Sequence, residues 1–225
     1  MIRLTGVTHR YGDRTVLRDV DLTLVERRIA VVGANGSGKS TLARLLNGLV
    51  VPTSGTVEVD GHDTRRDGAA VRRKVGFVFS DPDAQIVMPT VREDVDFSLR
   101  RTGLDRAQRA QRVETVLARF DLAGHADHPA HLLSGGQKQL LALAAVLVTE
   151  PAVLVCDEPT TLLDLRNTER VSRLLLDLPQ QVVLVTHALE LVDGYDRVLV
   201  VHEGRIAHDG GPSGAVAAYR ALVRA

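Results

Sequence analysis

Apolar positions along the chain follow two textures. Val7 to Leu24 alternates apolar and polar residues, which predicts short strands with Tyr11-Gly12-Asp13-Arg14 as the turn between two of them. Ile29 to Val32 is a compact β-branched run ending at Gly33, and Leu42 to Leu49 then repeats with helical spacing. Pro52-Thr53-Ser54-Gly55 turns the chain into a strand at Thr56 to Val59, and Val75 to Phe79 reads as a buried strand. From Ser80 to Ser134 the texture becomes charged, arginine-rich and helical. Apolar runs then return: a buried helix over Leu140 to Val148, strands over Val153 to Cys156 and Val182 to Val185, and a hairpin of Val198 to Val201 with Arg205 to His208 around Glu203-Gly204. Apolar strands alternating with helices predict an α/β fold with a mainly parallel sheet covered on both faces. The helical stretch is expected to be an insertion at residues 80–134, between core segments 1–79 and 135–225 of a single domain.

Composition narrows the possibilities. A chain of 225 residues accommodates one large α/β unit with a smaller insertion. Lysine plus arginine equal aspartate plus glutamate at 28 each, so no net field favours nucleic acid or an anionic membrane surface. The single cysteine, Cys156, lies in an apolar run and fits a reducing compartment. The N-terminus lacks the basic and apolar regions of a secretory signal. Leu140 to Val148 is the longest uninterrupted apolar segment, well short of the roughly 20 residues that cross a bilayer. Any work at a membrane therefore requires a partner embedded there.

The strand, loop and helix around Gly33-Ala34-Asn35-Gly36-Ser37-Gly38-Lys39-Ser40-Thr41 carry the strongest chemical signal. Its glycines let successive backbone N–H groups point inward, and the helix that follows adds its positive end, which suits triphosphate oxygens. Lys39 is expected to reach the β- and γ-phosphates and Ser40 to ligate Mg²⁺. Val153 to Asp157 places a carboxylate at the end of a buried strand, where Asp157 can hold the Mg²⁺ shell. Glu158, one step on, is placed to polarise an attacking water. His125, His128 and His131 are spaced three apart, but Pro129 interrupts any helix that would align them, and they read as a solvated loop. The arginine clusters near 65–74 and 100–101 are diluted by acids and read as solvated faces.

Together with Leu133-Ser134-Gly135-Gly136-Gln137, read as a second phosphate-binding turn, these motifs resemble the ATPase subunit of an ATP-binding-cassette (ABC) transporter over essentially the whole chain. The resemblance implies a RecA-like P-loop NTPase core with an antiparallel β subdomain and a helical insertion subdomain. It implies ATP and Mg²⁺ as cofactors and a head-to-tail dimer, and with every catalytic motif present once two identical copies are the simpler expectation. In that dimer Ser134, Gly135, Gly136 and Gln137 grip the γ-phosphate of a nucleotide held by the other copy. It assigns His187 as the switch histidine at the γ-phosphate, Asp164 to a loop crossing the dimer interface, and Tyr11 to stacking on adenine.

Two positions depart from the family pattern. Ser80 stands where a glutamine usually follows the Phe77-Val78-Phe79 strand, and Leu162 occupies a place where a small residue is common. The stretch Phe77 to Val95 is most similar to the ATPases of energy-coupling-factor (ECF) vitamin and metal importers, where Gln85 matches a nearby glutamine. Ser80, Thr160 to Asp164 and the short C-terminus resemble the biotin-importing branch, with cobalt or nickel import as the alternative. Membership of that group implies an integral-membrane coupling protein, a separate substrate-capturing membrane protein, no nucleic acid, and a peripheral position on the cytoplasmic face of a bacterial inner membrane. A soluble, non-transport ABC ATPase and an ATP-binding but inert partner of a mixed dimer are the competing classes.

Overall fold

The computed structural model describes residues 1–224. In chain order it contains β1 (Ile2–Tyr11), β2 (Arg14–Leu24), β3 (Arg28–Val32), α1 (Lys39–Leu46), β4 (Ser54–Val59), β5 (His62–Asp63), α2 (Gly68–Lys74) and β6 (Val75–Val78). Then come α3 (Val91–Leu99), α4 (Arg106–Arg119), α5 (Gly135–Leu147), β7 (Val153–Asp157), α6 (Leu165–Asp177), β8 (Gln181–Val185), β9 (Arg197–His202), β10 (Arg205–Gly210) and α7 (Pro212–Arg224). The chain divides into two compact units, one of residues 1–76, 152–158 and 174–225, the other of residues 77–151 and 159–173.

The first unit holds two sheets. One is antiparallel, in the order β2-β1-β4-β5. Its strands alternate: in β1 Ile2 and Leu4, then Val7 and His9, are buried while Arg3, Thr5 and Arg10 are exposed, a two-residue period whose phase slips by one at the irregularity between Leu4 and Val7. The other sheet runs β10-β9-β3-β8-β7-β6, and β6 carries the chain onward into the second unit. Strand β3 is parallel to both β8 and β9, and β7 is parallel to β8. Every residue of β3 and β7 is buried, and apart from Arg28 at the start of β3 and Asp157 at the end of β7 these strands read as unbroken apolar runs rather than alternations. Because β3, β7 and β8 point the same way, the loops that follow them leave from one edge of the sheet, where α/β folds place their ligands.

One buried charge ties this unit together. Arg28 begins β3, is 5% exposed, and donates to the carbonyls of Leu176 (2.7 Å), Gln180 (2.8 Å) and Leu178. A guanidinium there satisfies backbone acceptors left at the end of α6, which offsets the cost of removing it from water.

The second unit is helical, and each of its longer helices starts with a reciprocal cap: Thr90 with Glu93 for α3, Asp105 with Gln108 for α4, and Ser134 with Gln137 for α5. Here the structure corrects the sequence reading. Ser134 to Gln137 is not a free turn followed by a helix from Leu140; Ser134 is the N-cap and Gly135 the first residue of α5. From Leu140 onward α5 is apolar and almost wholly buried.

Candidate nucleotide site

In the first unit the chain leaves β3 at Gly33, exposes Ala34, Asn35 and Gly36, and closes back through a Ser37 N–H to Ala34 carbonyl bond of 3.1 Å. Gly38 then opens α1 with φ of 112°, and a Cβ at that position would lie 2.9 Å from the carbonyl oxygen of Val16, so only glycine fits. Lys39 and Thr41 are buried, and the Lys39 ammonium donates to the Ala34 carbonyl at 3.1 Å. Burial pulls the Lys39 pKa below that of an ordinary lysine, and the nearby Glu158 and Asp157 charges partly restore it. The Ser37 hydroxyl is buried without a hydrogen-bond partner, a donor left over inside the loop. A cleft of about 220 Å³ opens over these residues, lined also by Tyr11, Arg14 and Val16. Tyr11 is 48% exposed and meets His9 edge-on, with ring centroids 4.6 Å apart, so its face is not packed into the core. A wider cleft of about 800 Å³ runs alongside, sharing Gly36 and lined by Arg14, Arg18, His202 and Arg205.

The ends of β7 and β8 complete the site. Ser40 donates to Asp157 at 2.9 Å although 117 positions separate them in the chain. Asp157 is buried, which raises its pKa; the Ser40 bond and Arg44, 4.0 Å away, act against that rise. Glu158 follows with φ of 56°, a left-handed conformation that is uncommon for a residue with a side chain and concentrates at functional sites. Its N–H bonds to the Val185 carbonyl at 2.9 Å, and its carboxylate meets Nδ1 of His187 at 2.6 Å. Sharp backbone reversal thus aims Glu158 at His187 instead of continuing the strand.

Ser40 and Asp157 fit a Mg²⁺ ion: both present oxygen, the donor a hard cation takes, and they already lie within hydrogen-bond distance of each other. The predicted loop residues, Tyr11, Asp157, Glu158 and His187 all belong to the first unit. Ser134 to Gln137 and Asp164 belong to the second. There, Asp164 accepts from the Asn167 N–H at 2.8 Å and so caps α6. Gly136 faces the same asparagine: a Cβ on it would lie 2.6 Å from the Asn167 amide. Gln85 turns back on the chain just past β6, accepting from the Phe79 N–H at 3.1 Å. Lys138, next to Gln137, pairs with Asp83 at 2.7 Å.

Sequence reasoning passed over Asn167 and Lys138. It also read His125 as solvated, whereas the structure bonds it to Gln137 at 3.0 Å. The only hint in the chain was proximity: each lies within a dozen or so residues of a motif, but on a loop or helix face whose direction sequence does not give.

A glycine loop between strand and helix, an oxygen pair at its mouth and a carboxylate aimed at a histidine define a P-loop nucleoside triphosphatase. Residues 17–161 match the ABC transporter family, and the chain belongs to that family. The biotin transport ATP-binding protein BioM of Rhizobium etli is 48% identical over 212 residues, covering 94% of this chain and 94% of that one. An energy-coupling factor transporter ATP-binding protein, EcfA1 of Halalkalibacterium halodurans, is 38% identical over 218 residues, covering 93% of this chain and 78% of that one. Among solved structures, cbiO1 from Clostridium perfringens, part of the ABC transporter complex cbiONQ, superposes with a TM-score of 0.86 at 32% identity, covering 99% of this chain and 92% of that one. The protein is accordingly an ABC-type ATPase.

Proposed function

We propose that this chain is the ATP-hydrolysing subunit of an energy-coupling-factor importer and that the imported vitamin is biotin. The observation carrying the catalytic part is the Glu158–His187 contact of 2.6 Å beside the phosphate loop. The identity of 48% to a biotin transport ATPase across nearly all of both chains supports the substrate.

In this reading the loop 33–41 cradles the triphosphate, Lys39 neutralises its terminal oxygens, and Tyr11 stacks on the adenine. Ser40 and Asp157 hold Mg²⁺, which supplies charge neutralisation on the phosphates. Glu158 accepts a proton from the attacking water, while His187 fixes the carboxylate and contacts the γ-phosphate. Ser134, Gly135, Gly136 and Gln137 close over a nucleotide held by a second copy, and Asp164 lies along that seam. ATP acts through its greater affinity for the closed pair. No helix among the described residues is long and apolar enough to cross a membrane. The motion is delivered to a membrane-embedded coupling protein, and a separate membrane protein captures the vitamin. The working location is the cytoplasmic face of the membrane.

Replacing Glu158 with glutamine tests this directly. The variant is expected to lose turnover by a factor of about 10³ or more while accumulating as an ATP-bound dimer, since glutamine keeps the shape but cannot take the proton. Cells carrying only that variant are expected to lose uptake of labelled biotin. Intact hydrolysis would remove Glu158 as the base; lost cobalt uptake with normal biotin uptake would reassign the cargo.

A further inference from the structure

Three hydrogen bonds beside the start of α5 form a chain with one possible direction. The Ser134 N–H donates to the side-chain oxygen of Gln137 at 2.9 Å, which fixes the orientation of the Gln137 amide. Its nitrogen therefore faces Nε2 of His125, 3.0 Å away, and must donate, so Nε2 of His125 carries no proton. The proton of a neutral His125 ring then sits on Nδ1, which lies 3.0 Å from Nδ1 of His128 and donates to it. The backbone of Ser134 is thus linked, through Gln137 and His125, to the ring of His128. A protonated His125 would set its own N–H against the amide nitrogen, two donors face to face, so the linkage exists only with a neutral ring.

We infer that His125 is a positioning residue for the Ser134-Gly135-Gly136 turn, acting through the amide of Gln137. This rests on the reading above that the turn grips a nucleotide held by a second copy. Gln137 has two tasks: its oxygen accepts the N–H of Ser134, the N-cap of α5, and its amide nitrogen must be anchored if that oxygen is to stay in place. Within the loop 121–134, His125 supplies the anchor; its neighbours His128 and His131 are exposed. The burden is on closure alone, because His125 lies in the unit that does not contain the phosphate loop.

The test uses the Glu158→Gln background, in which closed dimers persist. Adding His125→Ala is expected to weaken ATP-driven dimerisation about tenfold, the worth of one hydrogen bond of this kind, while ATP affinity of the separate monomer stays unchanged. His125→Gln, whose amide oxygen can accept at the same reach, is expected to restore dimerisation. In the unsubstituted protein, ¹⁵N spectra are expected to show His125 as the Nδ1–H tautomer. An Nε2–H tautomer, or unaltered dimerisation in His125→Ala, overturns the inference. Ser134→Ala in the same background separates the two levels: if it too leaves dimerisation intact, the proposed grip itself fails, whereas if it abolishes dimerisation and His125→Ala does not, only the role of His125 falls.

Discussion

Burial and hydrogen bonding pull the Asp94 carboxyl in opposite directions. It is 4% exposed and accepts from the N–H groups of Val87 at 2.8 Å and Met88 at 3.0 Å. Burial dominates and raises its pKa above that of a free aspartate. A folded-state pKa above the unfolded one, about 3.9, means the protonated carboxyl favours the fold. That stability is present in acid and is lost as pH rises through the folded value. Asp94→Asn keeps an acceptor and cannot ionise, so denaturation curves at pH about 4 and about 7 are expected to differ less for it than for the parent. Asp94→Ala strands both N–H groups and is expected to cost about 1–3 kcal/mol at either pH. At this scale the chain sequence reveals residue types well and geometry poorly. The carboxylate pair at 157–158 stands out because an apolar strand ends there, but the left-handed turn at Glu158 is not encoded by a glycine and so leaves no sign. The link from His125 to Gln137 is equally hidden, since it depends on how the loop through Pro129 returns to α5.

Element periodicity was easier to read. The buried strands announced themselves by unbroken β-branched runs, and β1 and β2 by alternation. The start of α5 was misplaced because two consecutive glycines disfavour a helix by about 1 kcal/mol each. Ser134 and Gln137, spaced as a reciprocal cap, were the available contrary signal. Packing explains why a poor helix former is used there: Gly136 gives its place to the Asn167 side chain at the head of α6. Gly136→Ala would strengthen an isolated helix, yet here it must push Asn167 aside and disturb the cap that Asp164 makes. The expected result is lower ATPase activity with an unchanged or lower melting temperature; a more stable, fully active variant would show that the contact yields freely.

Across the whole molecule, parallel strand direction does the assembling. Ser40, Asp157, Glu158 and His187 come from three distant stretches, and only the shared polarity of β3, β7 and β8 brings their ends to one edge. The glycine motif and the apolar runs made that class of sheet legible; the strand order that makes the ends neighbours is set by long-range pairing that no local pattern encodes, and only the structure gives it. If Ser40 and Asp157 hold Mg²⁺, saturating ATP with the metal is expected to stabilise the chain by about 2.7 kcal/mol at a ligand concentration of 100 times Kd. Chelating the metal should remove most of the accompanying rise in melting temperature, and Asp157→Asn should reduce it in the same way. Equal protection with and without chelator would argue against that pair.

The body of α5, from Gln139 through Leu147, is sunk among neighbouring side chains, with only Val146 partly open to solvent. The Ser134 end is therefore the tip of a spike driven into one unit, not a flap on a hinge. If Ser134 grips a nucleotide as proposed, releasing it demands displacement of the packed helix behind it and not a local flick of the turn.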